Sequence, residues 1–123
     1  MGGRLIPPKP NNPGEHKMKT IELTDNEKIT AQTALEHSIA IVENIIAGTS
    51  PNRLDIIQDL EGAKIKLKII EMKITARTQT NKIGLSKDEL KELKSSVTSM
   101  VNWYGTNNYF ENILIKVRQA LSK

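Results

Sequence analysis

A chain of 123 residues, 37% hydrophobic and 26% charged, is sized for one domain with a true core. Aromatic residues make up only 3%, so the core is expected to be aliphatic, and the lack of cysteine excludes disulfides, thiolate metal sites and thiol catalysis. The formal net charge of +4 is uneven: residues 1–50 hold 5 Lys/Arg against 6 Asp/Glu, while residues 51–123 hold 13 against 8.

No apolar run approaches the ~18 residues of a membrane span, and the opening MGGRLIPPKP lacks the apolar stretch of a signal peptide. Ile6 stands where a myristoylation signal needs Ser or Thr. A cytoplasmic protein is expected, or a virion protein if phage-encoded. Lys, Ile and Asn supply 40 of the 123 residues, the bias of an AT-rich genome, which suits an accessory component of a phage or mobile element.

Residues 1–20 read as an extended N-terminal arm. They hold Pro7, Pro8, Pro10 and Pro13 with three glycines and no usable periodicity. Arg4 through Pro10 formally matches the basic-x-x-P-x-x-P pattern of SH3 ligands. A strap that lays Leu5 and Ile6 on a neighbouring subunit is the stronger functional reading, and a flexible tail is the reading preferred to both. Met18 also offers an alternative start.

Residues 21–123 read as a single α-helical domain. Thr24 and Glu27 form a capping box, which opens a helix over Asp25–Ala47 with Leu35, Ile39, Val42 and Ile46 on one stripe. Gly48 is expected as a left-handed C-cap, Ser50 as the next N-cap and Pro51 as first helical residue. So short a connection predicts an antiparallel hairpin. The second helix should run from Pro51 to about Thr80, roughly 45 Å at 1.5 Å per residue.

That second helix carries two apolar stripes. Ile56, Leu60, Ala63, Leu67, Ile70 and Ile74 lie within roughly 40° of one direction, and Leu54, Ile65, Ile69, Met72 and Ala76 lie on nearly the opposite side. A surface helix needs only one such face, so the second predicts burial inside the domain or contact with another chain. The chain is expected to be organised around this helix, with its end near Arg77 projecting or pairing with another copy.

Ser86 and Glu89 make a second capping box, with Leu85 and Leu90 as a hydrophobic staple, and a third helix runs to Gly105. A fourth is expected from Asn108 to Ser122, capped by Asn108 and Glu111. No strand is expected. The fold class is all-α: a small four-helix bundle built on an antiparallel hairpin with a long second helix, preceded by the Pro-rich arm.

Chemistry-bearing constellations are absent from the pattern. His16 and His37 are the only histidines, and neither follows a Glu at the spacing of a di-iron bundle. Ser50, Ser86 and Thr24 are used as caps, and no phosphate-cradling glycine loop occurs. A non-enzymatic protein without cofactor or metal is expected, and His37 should be exposed. The candidate protein interface is Ile65, Ile69 and Met72, then Leu5, Ile6 and Trp103, with a second copy or another protein as partner.

Trp103, Tyr104, Tyr109 and Phe110 should form an aromatic plug at one end of the bundle, the alternative being an anchor patch for a partner. The rival function is nucleic-acid binding through Lys64, Lys66, Lys68, Lys73, Arg77 and Lys82. A helix-turn-helix-like pair over Val97–Leu121, with Lys116 and Arg118 on phosphates, is its second route.

Overall fold

The computed structural model describes residues 18–76 and 81–123. It is mostly helical, in the order β1 (Met18–Glu22), α1 (Asp25–Ala47), α2 (Leu54–Thr75), β2 (Lys82–Ser86), α3 (Lys87–Tyr104) and α4 (Asn108–Leu121). Leu5, Ile6 and Arg77 lie outside the described residues. The core is aliphatic and draws on every element, including Leu35, Ile70, Leu85, Leu93 and Ile113.

The two strands correct the all-helical expectation. Met18–Glu22 and Lys82–Ser86 pair antiparallel, with Ile21 opposite Ile83 and Lys19 opposite Leu85. Residues 18–20, expected in the arm, therefore belong to the domain. Each strand has only five residues and alternates inward and outward. So short an alternation is masked in the sequence by the helix signals that follow it. The burial of Ile21, Leu23, Ile83 and Leu85 beneath the helices is what keeps a two-stranded ribbon stable.

Both capping boxes form. The Glu27 amide donates to Thr24 Oγ1 at 3.2 Å and the Thr24 amide to Glu27 Oε1 at 3.0 Å. The Glu89 amide donates to Ser86 Oγ at 3.2 Å and the Ser86 amide to Glu89 Oε1 at 2.8 Å. Each box follows two buried apolar residues two apart, at or just past the end of a strand, so Ile21-x-Leu23-Thr24-x-x-Glu27 and Ile83-x-Leu85-Ser86-x-x-Glu89 are the same device used twice.

The halves β1-α1-α2 and β2-α3-α4 are arranged about an approximate two-fold axis. It passes between Ile21 and Ile83, equivalent residues that pair with each other. The first helices of the halves, α1 and α3, pack together across it, and the second helix of each half lies on the other half's strand, α4 on β1 and α2 on β2. The ion pairs cross likewise: Lys116 of α4 bonds Glu27 at 2.6 Å, and Lys73 of α2 bonds Glu89 at 2.7 Å.

The organising helix is consequently α1, which packs on α2, α3 and α4. Glu43 beside Lys64 at 3.8 Å and Glu36 beside Glu71 mark α1 and α2 as antiparallel. Helix α2 begins at Leu54 rather than Pro51, because Ser50 closes a turn with the Arg53 amide at 2.9 Å instead of capping. Its 22 residues span about 33 Å, shorter than expected.

The described part of α2 is covered toward its C-terminal end and more open toward its start, while Arg77, the residue expected to project, lies outside the described residues. The late residues Leu67, Ile70 and Ile74 are buried against β2 and α3, whereas Ile56, Leu60 and Ala63 are only half-buried. The open end is the α1–α2 turn, where Ala47, Gly48 and residues 50–55 are exposed. Gly48 sits at φ −90° and is not left-handed; Gly105, at φ 88°, is the residue that needs glycine's freedom. Asn107, not Asn108, caps α4, accepting the Phe110 amide at 2.9 Å.

Candidate protein interface

Helix α2 shows how each apolar stripe is used. The inner one is covered by α1, α3 and β2, most completely at Leu67, Ile70 and Ile74. On the outer one Ile65 is 56% exposed, Ile69 42% and Met72 68%, and no described part of the chain covers them. Leu54 and Ala76 are exposed as well. Aliphatic burial stabilises by about 25 cal/mol per Å², so a row of uncovered Ile and Met side chains leaves a sizeable hydrophobic term unrealised.

The two-fold supplies an internal comparison. Helix α4 has the same place in the second half, and its inward residues Phe110, Ile113, Val117 and Ala120 are buried. Outward it presents Glu111, Asn112, Ile115, Arg118 and Gln119, a single aliphatic residue among polar ones. The fold therefore does not require an apolar outer face at this position. The outer stripe of α2 is a property of α2 alone.

Gly62 lies on that face, about 20° from Ile69 around the helix. It is exposed, and a Cβ placed on it would meet nothing within 4 Å. A mid-helix glycine costs about 1 kcal/mol relative to alanine, and no contact within the described residues accounts for it.

The lysines flank the stripe without forming one patch. Lys66 and Lys73 lie on one side of it, Lys64 and Lys68 on the other. Lys64 stands 3.3 Å from Glu61 as well as near Glu43, and Lys73 is engaged by both Glu89 oxygens, at 2.7 and 2.9 Å. Lys66, Lys68 and Lys82 are exposed, with Lys82 on β2. Of the helix-turn-helix contacts, Arg118 and Asn108 are exposed, and the others are engaged within the domain. Lys116 is bonded to Glu27, Asn107 is a cap, and Phe110 and Val117 are core.

The aromatic residues do not form a plug. Phe110 is buried, but Trp103 is 68% exposed, Tyr104 69% and Tyr109 43%. Trp103 and Tyr104 end α3 and meet His37 of α1 edge-on, with centroids 6.0 and 5.6 Å away. His37 is half-buried rather than exposed, and its Nε2 is buried without a hydrogen-bond partner. The expectation fails because α3 crosses α1 there and covers one edge of the imidazole. Trp103 thus belongs to a separate patch from Ile65, Ile69 and Met72.

Three carboxyls among the described residues are perturbed. Burial alone would raise Glu27, but the hydrogen bond from Lys116 and that from the Thr24 amide outweigh it and hold the group below its usual range. Glu89 is lowered in the same way by Lys73 and the Ser86 amide. Glu71 is raised, first by burial and then by the neighbouring Glu36 carboxyl. The first two are structural cap residues. Glu36 and Glu71 meet on the seam between α1 and α2, with Gln32 beside them.

No group of three or more His, Asp or Glu that could hold a metal ion occurs among the described residues, and no helix there is long and apolar enough to cross a membrane. An open hollow of about 590 Å³ is lined by Lys91, Lys94, Ser95, Thr98, Asn102 and Trp103, among others. Its hydroxyls stand beside Lys91 and Lys94, with no histidine or carboxylate in the lining. Comparison of the chain with protein-family profiles, with curated proteins and with solved structures finds no match.

Proposed function

We propose that this chain is a non-enzymatic protein–protein interaction module, a helical scaffold that offers the outer face of α2 to another protein chain. The single observation that carries the reading is the exposure of Ile65, Ile69 and Met72 along one helix whose structural counterpart, α4, is polar on the same side. Apolar rows of this kind, rimmed by charge, are the usual core of a protein contact. Lys66 and Lys68 fit the rim, their stems lying along the stripe and their ammonium groups in water. The exposed Trp103 and Tyr104 are a second, smaller anchor patch.

The test is absolute mass in solution by light scattering, for the full chain and for an Ile69→Glu, Met72→Glu double variant, with helix content followed by circular dichroism. The expected result is a wild type heavier than its 13.8 kDa chain and a variant that is folded at the chain mass. A variant that unfolds would assign the stripe to the core. An oligomer whose mass the substitutions leave unchanged would place the contact elsewhere. Either result removes the reading.

A further inference from the structure

The charges along α2 are segregated. Asp55, Asp59 and Glu61 occupy its first third with no cation among them, while Lys64, Lys66, Lys68 and Lys73 occupy the remainder with only Glu71 against them. Within one chain this arrangement brings little: Lys64 reaches Glu61 and Lys73 reaches Glu89, but Asp55, Asp59, Lys66 and Lys68 have no salt-bridge partner among the described residues. The outer seam runs Gln58, Gly62, Ile65, Ile69 and Met72, spaced four, three, four and three, the period of a helix that pairs with another helix.

From these features we infer that the occupant of the outer face of α2 is a second copy of this chain, its own α2 lying antiparallel across a two-fold axis at Ile65. The inference rests on the protein-contact reading above and names its partner and geometry. With Ile65 against Ile65, residues whose numbers sum to about 130 face each other. Gln58 then meets Met72, and Gly62 lies against the Lys68–Ile69 turn, where a missing side chain lets the two backbones close up.

The electrostatics select the direction. Antiparallel pairing sets Glu61 beside Lys68 of the second copy on both sides of the axis, and Asp59 within a turn of its Lys73, already held by Glu89; the one like-charge contact is Lys66 with its own copy at the axis. Parallel pairing would set Lys68 beside Lys73 of the second copy on both flanks, against the attractive pair of Glu61 with Lys66. Like charges meeting along a seam disfavour that arrangement, and the helix dipoles disfavour it too. Gly62 acquires a role in the same step, as the closest approach of two helices rather than a flaw in one.

The absence of cysteine makes the geometry directly measurable. Single-cysteine forms of the full chain are prepared with Ile65→Cys, Gln58→Cys or Met72→Cys, all exposed positions, and oxidised mildly. A disulfide needs Cα atoms within about 7 Å. In the inferred dimer Ile65→Cys links to itself, whereas residues 58 and 58, or 72 and 72, lie about 21 Å apart along the axis. The expected result is covalent dimer from Ile65→Cys alone, little from either other form alone, and covalent dimer from their equimolar mixture.

Self-linking of Gln58→Cys and Met72→Cys as readily as Ile65→Cys would mean a parallel pair. That overturns the inference while keeping α2 as the contact. A wild type that stays at the chain mass by light scattering at every concentration overturns the second copy as occupant and leaves a different protein. A dimer that none of the three cysteines links, and that the Ile69→Glu, Met72→Glu variant does not dissociate, overturns the inference and the α2 reading together.

Discussion

Lys116 of α4 donates to Glu27 Oε1 of α1 at 2.6 Å, and the same carboxylate oxygen accepts the Thr24 amide that starts α1. One oxygen thus joins the cap of the first half to the last helix of the second. The Glu27 side chain is only 4% exposed, so removing its cation strands a buried charge. Lys116→Met is expected to cost about 3 kcal/mol. Lys73→Met, its two-fold counterpart against the more exposed Glu89, is expected to cost about 1–2 kcal/mol. Urea unfolding followed by circular dichroism measures both. Equal costs would mean that carboxylate burial is not what sets the difference.

The acid limb of stability follows from the three perturbed carboxyls. Glu27 and Glu89 are held below their ordinary 4.5, so their contribution is present above that pH and is lost as pH falls through the lowered values. Glu71 is raised by burial and by Glu36, so its contribution is complete below 4.5 and is lost as pH rises through the raised value. Glu71→Gln should therefore stabilise the protein near neutral pH by about 0.5 kcal/mol, the scale of a like-charge pair on adjoining helix turns. The gain should vanish in acid. A gain that persists well below pH 4.5 would trace to packing and not to repulsion.

Gly62→Ala separates the needs of the single chain from those of its contact. A Cβ there meets nothing within 4 Å, so in the Ile69→Glu, Met72→Glu background it should stabilise the chain by about 1 kcal/mol through helix propensity. In the wild-type background the same methyl group should weaken self-association, read as a rise in the dimer dissociation constant. Stabilisation in both backgrounds with association unchanged would show that Gly62 makes no close contact.

Trp103 is the only tryptophan and is 68% exposed, so its fluorescence reports on one surface. Its emission should be that of a hydrated indole, and iodide should quench it efficiently in the native protein. Trp103→Ala should change stability by no more than about 0.5 kcal/mol, as for other exposed positions. A blue-shifted, protected indole would mean that a segment or partner covers the patch. A loss of several kcal/mol would return Trp103 to the core.

Much of this protein was legible in its sequence because the deciding forces are local. Thr24 with Glu27 and Ser86 with Glu89 fix two helix starts by hydrogen bonds within four residues, and the structure shows both. The double stripe of α2 was equally plain, since periodicity determines which residues share a face whatever lies opposite.

Other features depended on contacts between distant residues. The pairing of Ile21 with Ile83 spans the whole first helical hairpin, and five-residue strands carry too little pattern to announce it. The repeat Ile-x-Leu-[Ser/Thr]-x-x-Glu was available as a signal, but only the register shows that its two copies face each other. Likewise Trp103 and Phe110 are both aromatic residues near one turn, yet Phe110 is buried in the core while Trp103 stays exposed beside His37. Local hydrogen bonding and helical periodicity are determined by neighbours in the chain, so the sequence alone decided the helices and their faces. Which face is covered, and by what, is decided by packing between residues far apart in sequence. The tertiary structure therefore had to show that α1 is the centre, that the α1–α2 turn is the open end, and that Ile65, Ile69 and Met72 remain uncovered.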